Sequence, residues 1–369
     1  MVVDNASSDG SKNYFEGRFP LVKFLWQTQN TGFAKANNSA LSRAQGEYVL
    51  FLNPDTIIAE NSFEICLAFV RRQSKFGALG VSMLDGSGNY LPESKRMFPS
   101  LSASFYKMSG ITKLFPDSPY FSKYYAAHIP QSQSGEVEVL SGAFMLVSKR
   151  VLDITSGFDE DFFMYGEDID LSYRITKAGY KNYYCGDTAI IHFKGESVLA
   201  ESKSYLKNFY GAMFLFVKKH IPGRSPHVKA AILAAYAFAS LRHTFQKKAT
   251  DASPQTNALA VVAGDLVFNK MLNLIKLSRI PFLIKGRIGI DQGDGIAALG
   301  NVNDIRNVVT THQISHLVLA EGELSYKTII ELTRVNKNLV SFLIHAHSSK
   351  SIVGSSNKSR SGIYIAEAR

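Results

Sequence analysis

The apolar run Tyr48–Leu52, entered from Glu47 and stopped by Asn53-Pro54-Asp55, does most to restrict what this chain can fold into. It is a continuous apolar strand, and proline cannot continue a central strand, so the strand ends at residue 53 and carries Asp55 at its carboxyl end. Strand and helix alternate around it. Residues 1–4 read as a strand ending in Asp4, followed by the turn Asn5-Ala-Ser-Ser-Asp9-Gly10. Residues 22–26 read as a second short strand, and Asn30-Thr-Gly32-Phe33-Ala-Lys-Ala-Asn37-Asn38 leads into a helix ending near Gly46. A helix over 63–70 and a strand over 78–83 follow. This alternation predicts an α/β sheet with parallel strands, and such sheets take ligands beyond the carboxyl ends of their strands, where Asp4 and Asp55 lie.

Residues 85–135 show no clear period and suggest a variable excursion, with a helix over 101–114. Residues 137–147 return to strand character, broken by Gly142, where the missing side chain permits close backbone approach. Short strands are expected over 183–185 and 189–191, the second leading to His192, and an amphipathic helix over 205–220. Residues 222–254 read as a connector whose apolar centre, 230–241, is flanked by Arg224, Lys229, Arg242, Lys247 and Lys248. Such a helix lies either on an anionic membrane surface or against its own domain. From residue 258 a second α/β pattern begins, a small Rossmann-like domain. Its first turn, Val-Val-Ala-Gly264-Asp265, lacks the full dinucleotide fingerprint of three spaced glycines.

A length of 369 residues predicts two domains. Lys plus Arg exceed Asp plus Glu by 41 − 31 = 10, which favours anionic partners such as nucleotide diphosphates, acidic lipid headgroups or nucleic acid. No basic-aromatic module supports nucleic acid, which is excluded as a partner. Two cysteines cannot form a disulfide framework and point to a reducing compartment. The longest apolar run falls short of the roughly 18 residues of a spanning helix.

The most chemistry per residue lies in Gly157-Phe-Asp-Glu-Asp-Phe-Phe-Met-Tyr-Gly-Glu-Asp-Ile-Asp-Leu-Ser-Tyr-Arg174, with six carboxylates among aromatic rings. Gly166 breaks the chain, and Glu167-Asp168 open a helix, in whose first turn carboxylates are favoured in the ionised form. Asp168 is the candidate general base, and Glu167 would orient or bond an acceptor hydroxyl. Phe162, Phe163 and Tyr165 would supply an apolar platform for a sugar face; the alternative for the whole segment is a charged helix start. Asp55 could bind a hard divalent cation that neutralises a diphosphate, with His192 as a further ligand through a neutral ring nitrogen. The alternatives are a simple turn and a structural histidine. Asp4 is either an acceptor for a base N–H or a turn former. Lys35, Arg174 and Lys194 are candidates for phosphate contacts, against the default of solvated charge or, for Arg174, an i,i+4 pair with Asp170.

Six fragments, VVDNASSDGS, NTGFAKANN, YVLFLNPDTII, VLSGAFMLVSKR, GFDEDFFMYGEDIDLSYRITKAGYK and AIIHFKGES, occur in order and resemble the family 2 glycosyltransferases, in particular the rhamnosyltransferase-like group. The resemblance implies a GT-A fold (nucleotide-diphospho-sugar transferase) over 1–220, then a basic-apolar connector over 221–256 and the Rossmann-like domain over 257–369. Asp4 matches the acid that contacts the nucleotide base, and Asn30, Gly32, Phe33 and Asn38 match the nucleotide-sugar loop. Asn53-Pro54-Asp55 matches the D-x-D position, Asn53 replacing its first acid and Asp55 facing metal and diphosphate. Gly142-Ala143 matches the floor of the donor site, Asp168 the catalytic base and His192 a metal ligand. The implied cofactor is a divalent metal, magnesium or manganese. The implied partners are a nucleotide-diphospho-sugar donor and a saccharide or polyprenyl-linked acceptor. The reaction would be an inverting sugar transfer in surface polysaccharide synthesis, in the cytoplasm or peripherally on the inner face of the cell membrane.

Family members usually begin with a further strand and helix, so about one βα unit is expected to be lacking here. A non-catalytic nucleotide-sugar-binding or scaffold protein is therefore the alternative. Residues 257–369 resemble the Rossmann-like domain beside sugar-phosphate transferases that act on polyprenyl phosphate, on the fragments GRIGIDQGDG, AALGNVNDIRNVVTTHQISHLVLAE and SIVGSSNKSRSGIYI.

Overall fold

The computed structural model describes residues 1–98, 123–193, 203–221, 257–290, 298–346, 349–355 and 362–366, with a few isolated positions between. Almost all of the helix expected over 101–114, Lys194 and most of the 222–254 connector lie outside these residues; within the connector's apolar centre, 232–237 are helical, with Ile232 and Ala235 buried and the Tyr236 ring against Tyr210. Strand β1 (Val2–Asp4) pairs in parallel with β2 (Phe24–Trp26), with helix α1 (Ser11–Phe15) between them. This ribbon is separate from the main sheet of the first half. Helix α2 (Phe33–Leu41) leads to β3 (Tyr48–Leu52), β4 (Thr56–Ile58), α3 (Ser62–Val70) and β5 (Phe76–Leu84). After the excursion come β6 (Gly135–Val137), β7 (Phe144–Ser148), α4 (Lys149–Thr155), α5 (Glu167–Lys177), β8 (Lys181–His192) and α6 (Lys203–His220).

The main sheet runs β3-β7-β5-β8-β4, with β6 also on β8. Only β5 and β8 are parallel; β7 enters between β3 and β5 antiparallel to both, and β4 and β6 are antiparallel to β8. The all-parallel expectation is therefore corrected. Alternating strands and helices in sequence cannot show that a late strand will be inserted between two early ones. The two short strands expected over 183–191 are one strand, β8, whose register against β5 shifts between Val81 and Ser82. Residues 138–143, expected within a strand, instead form the link between β6 and β7, and this link brings Gly142 to the site.

The second half is a seven-stranded sheet, β11 (Ala298–Asn301), β10 (Leu283–Gly289), β9 (Ala258–Val262), β12 (His316–Ala320), β13 (Ser341–His345), β14 (Ser351–Gly354) and β15 (Ile363–Ala366), in that order. Its first five strands are parallel, and the last two join by antiparallel pairing. Leu259, Val261 and Ala263 pack with α7 (Asp265–Ile275), while Ala260 and Val262 pack with α8 (Ile305–Thr311) and α9 (Tyr326–Val335). A period of two thus serves helices on both faces, which explains why these strands read as unbroken apolar runs.

The two halves share one apolar core. Ala59, Leu84, Ile191 and Phe193 of the first half pack in the same cluster as Ile329, Ile330, Phe342 and Ile344 of the second. Each well-buried large side chain there contributes roughly 1.5–3 kcal/mol. Helix α9 is held at both ends. At its start the Glu60 carboxylate accepts from the backbone N–H groups of Tyr326 (2.6 Å) and Lys327 (3.1 Å), where a negative charge is favoured. Burial alone would raise the Glu60 pKa, but hydrogen bonds from its own backbone, Tyr326 and Lys327 outweigh it and hold the carboxyl below its ordinary value. At its end the Asn338 N–H donates to the Ser87 carbonyl (3.0 Å), and Asn89 and Asn338 exchange amide hydrogen bonds of 2.8 Å. Gly88, at φ +82°, lies so close that a Cβ would stand 2.0 Å from the Thr333 carbonyl oxygen.

Candidate active site

Three groups of residues converge at the carboxyl side of the first half. In the first, Asn5 at the end of β1 organises the loop before α2. Its Oδ1 accepts from the Thr31 N–H (2.9 Å), and its Nδ2 donates to Asn30 Oδ1 (2.9 Å) and the Gly32 carbonyl (3.3 Å). Asp4 accepts from the Ser7 N–H (3.0 Å), so its carboxylate shapes the turn whatever else it binds. Gly32 has φ +86°, and a Cβ there would meet the Phe163 carbonyl oxygen at 2.5 Å. That close approach lets the Phe33 N–H donate to Phe163 (2.9 Å). Asn38 is committed to the acidic segment, exchanging hydrogen bonds with the Phe158 backbone (2.8 and 3.0 Å) and donating to Glu160 (3.1 Å).

The second group forms where β4 pairs with the end of β8. Thr56 is opposite His192, and the Phe193 N–H donates to the Asp55 carbonyl (2.9 Å). His192 Nε2 faces Asp55 Oδ1 at 3.3 Å and Asn53 Nδ2 at 3.4 Å. The imidazole is buried, and its Nδ1 has no hydrogen-bond partner among the described residues. Residues 53, 55 and 192, distant in sequence, therefore meet at one point.

The third group is the start of α5. Tyr165 (φ +69°) and Gly166 (φ +81°) lie consecutively in the left-handed region, an arrangement that costs a non-glycine residue roughly 1–3 kcal/mol and aims the helix start. Asp168 Oδ2 is 2.6 Å from Arg96 Nη2 and 3.4 Å from the Gly142 N–H. Arg96 also donates to the Leu140 carbonyl (2.8 Å). Burial works against the Arg96 charge, but Asp168 and then Tyr124 more than offset this and raise its pKa. Gly142-Ala143 joins the second and third groups: Gly142 lies against Asp168 and the Phe33 ring, and the Ala143 carbonyl accepts from the Asn53 N–H (3.0 Å).

The six acids of the segment take different roles. Asp159 and Asp161 both pair with Lys219 of α6, and Asp170 pairs with Arg174 (2.6 Å) and His220 (2.6 Å). Arg174 further donates to the carbonyls of Thr155 and Gly157, so it serves the i,i+4 pair and the loop rather than a phosphate. Glu160 meets Asn38, Asp168 meets Arg96, and Glu167 is buried with Oε2 lacking a partner among the described residues. Phe162 is in the core, 2% exposed, whereas Phe163 is 51% exposed. The aromatic platform expected from three rings therefore loses Phe162, because an acidic segment must also anchor itself. Arg96 and Asn5 join the site without any mark in the sequence. Arg96 sits on an isolated bridge to Val139 rather than in a periodic element, and no local pattern singles it out.

Burial, and secondarily the charge of Asp168, push the Glu167 carboxyl up to about 8 from 4.5. The folded state therefore keeps a proton that the unfolded state loses, and stability falls as pH rises from about 4.5 to about 8. Glu167→Gln is expected to flatten that fall, so its melting temperature relative to the parent protein should be higher at pH 8 than at pH 5. A difference independent of pH would show that Glu167 folds ionised.

An acid–histidine pair and a separate arginine-bound carboxylate thus flank one glycine floor in an α/β fold. Residues 1–210 match the family profile described as "Glycosyltransferase like family 2", and the chain belongs to that family. It is 28% identical over 228 residues to the N-acetylglucosaminyl-diphospho-decaprenol L-rhamnosyltransferase of Mycobacterium tuberculosis, covering 59% of this chain and 73% of the relative. It is 32% identical over 174 residues to the rhamnosyltransferase WbbL of Escherichia coli, covering 44% of this chain and 61% of that protein. Among solved structures, the mannosyltransferase PcManGT of Pyrobaculum calidifontis, in complex with GDP-Man and Mn2+, overlaps 66% of this chain and 61% of its own. Its TM-score is 0.40 and its identity 19%.

Proposed function

We propose that this glycosyltransferase of polysaccharide synthesis transfers a sugar, with rhamnose the first to test, from a nucleotide-diphospho-sugar to a lipid-linked or glycan acceptor, with inversion. The observation that carries this reading is the separation of roles across the Gly142-Ala143 floor, with Asp55 and His192 on one side and Asp168 on the other. In the reaction Asp168 accepts the proton of an acceptor hydroxyl as that oxygen bonds to the anomeric carbon. The bond from that carbon to the diphosphate oxygen breaks on the opposite face, and the pair of electrons leaves with the nucleoside diphosphate. Arg96 holds the Asp168 carboxylate in place, and Glu167, protonated, can donate to an acceptor oxygen. The Asn30–Phe33 loop, kept in shape by Asn5, and Asp4 border the nucleotide.

Asp55 and His192, with Asn53 beside them, fit a divalent cation. They offer one carboxylate and one imidazole, and no group of three or more His, Cys, Asp or Glu residues suited to a metal occurs among the described residues. Such a set leaves positions for substrate oxygens and water. The cation would neutralise the leaving diphosphate. The same reading keeps the division 1–220, 221–256 and 257–369, supported by the presence of two separate sheets, and the strand order of the second supports a Rossmann-like domain. No helix among the described residues is long and apolar enough to cross a membrane. Action in the cytoplasm, or at the inner face of the membrane through the connector, is part of the same reading.

A donor-hydrolysis screen over uridine, guanosine and thymidine diphospho-sugars, with manganese, magnesium or a chelator, tests this. One donor is expected to be cleaved, only with a cation present. Cleavage of none, or undiminished cleavage in chelator, would remove the proposal.

A further inference from the structure

Residues 202–250 contain nine Lys and Arg and neither Asp nor Glu, so this stretch carries nine of the chain's ten net positive charges. It takes in helix α6 and most of the connector. Within it, residues 230–241 hold no charge between Lys229 and Arg242, and every residue from 230 to 239 is aliphatic or aromatic. The helix at 232–237 is covered on one side, where Ile232 and Ala235 are buried and the Tyr236 ring meets Tyr210 of α6 at 5.6 Å. The opposite side is open. Leu233 is 60% exposed, and Ala230, Ala234 and Ala237 are exposed with it, at the i, i+3, i+4, i+7 spacing of a single helical stripe. A helix that is apolar all round is normally covered all round.

We propose that this stripe, with the cations around it, docks on an anionic lipid surface. Even fully helical, the twelve residues 230–241 would span only about 18 Å at ~1.5 Å each, against the ~30 Å of a bilayer core, so the segment lies in the headgroup layer and does not cross. A second copy of the chain would bring two such basic stretches together, and their repulsion opposes that pairing. Nucleic acid would answer the positive charge and leave the apolar stripe uncovered. An anionic bilayer meets both needs: the boundary of headgroups and acyl chains takes Leu233 and the alanines, and the headgroups take the cations. Among the described cations, Lys207 and Lys218 are exposed, whereas Lys219 is committed to Asp159 and Asp161. The inference gives the membrane contact of the reading above a defined surface and lipid charge, and it rests on exposure and charge rather than on the chemistry of the transfer site. Helix α6 meets α5 through the 2.6 Å contact of His220 with Asp170, so the docking surface stands one helix away from Asp168, the acceptor side of the proposed site.

The test is flotation of the full chain with vesicles of phosphatidylglycerol and phosphatidylcholine in equal parts, and with vesicles of phosphatidylcholine alone, at low and high salt. The anionic vesicles are expected to bind at least about tenfold more tightly, and salt to weaken that binding. Leu233→Glu puts a charge on the stripe at an exposed helical position, with little risk to folding, and is expected to lower the affinity roughly tenfold or more. Joint substitution of Arg242→Gln, Lys247→Gln and Lys248→Gln leaves the stripe intact and should cost about fivefold per charge, roughly a hundredfold in all. Hydrolysis of free donor without vesicles should be the same in both variants as in the parent protein. Equal binding to the two kinds of vesicle, or undiminished binding in either variant, would overturn the proposal. So would a dimer in sedimentation equilibrium that Leu233→Glu converts to monomer, because a second copy would then cover the stripe. If no donor is ever cleaved yet the vesicle results hold, the docking surface stands and the transferase reading falls; cleavage without vesicle binding removes the surface alone.

Discussion

Asp168→Asn is expected to lower sugar transfer by roughly a hundred- to ten-thousand-fold while the donor still binds with near-parental affinity. The amide keeps the shape of the carboxylate and an oxygen that can accept from Arg96 and the Gly142 N–H, so the helix start and the glycine floor have no steric reason to move. What it lacks is the ability to take a proton from the attacking hydroxyl. It also leaves the Arg96 guanidinium, only 11% exposed, without its counter-charge, so a lower melting temperature should accompany the loss. Rates should therefore be compared well below the melting point of the variant. Single-turnover transfer and donor titration together decide the matter. A non-catalytic nucleotide-sugar-binding or scaffold role predicts no transfer by the parent protein and no change on substitution.

Asp55→Ala should have the other large effect, and of a different kind. A cation at this position is worth several kcal/mol of charge stabilisation, which corresponds to a rate loss on the order of a thousandfold. The backbone part of the residue, its carbonyl accepting from Phe193, survives the substitution, so the β4–β8 pairing should persist. The defect should appear as a loss of manganese response, in donor binding as well as in rate. Titrating manganese against nucleotide-diphosphate affinity in both proteins is the direct check. If the variant retained the full manganese response, the cation would have to be held elsewhere.

The sequence carries the elements better than their arrangement. Tyr48–Leu52 and the proline behind it locate a strand and its end, and helix α9 forms within the second α/β pattern that begins at residue 258. Antiparallel insertion of β7 is invisible in sequence because pairing partners are chosen by the whole sheet and leave no local mark. The acidic segment is legible as a region, yet the fate of each acid depends on residues far away. Lys219 and His220 claim three of them from α6, and Arg96 claims Asp168 from an irregular stretch. Asn5 reads locally only as part of a turn, although its side chain holds the loop 25 to 27 residues later in place. Short-range pattern identifies residue types in a site, whereas long-range hydrogen bonds determine which of them remain available to a substrate.

The grip on helix α9 has a mechanical side. Asp55 and Glu60 stand at opposite ends of a segment of only five residue steps, with the three-residue β4 between them. At roughly 3.3 Å per residue, the acid of the proposed transfer site and the anchor of the second sheet are no more than about 17 Å apart along one strand. So short a strand, hydrogen-bonded along its length to β8, has little room to bend. A tilt of the second sheet that moved α9 would therefore have to break the Glu60 contact, break the β4–β8 pairing and shared core, or carry Asp55 along.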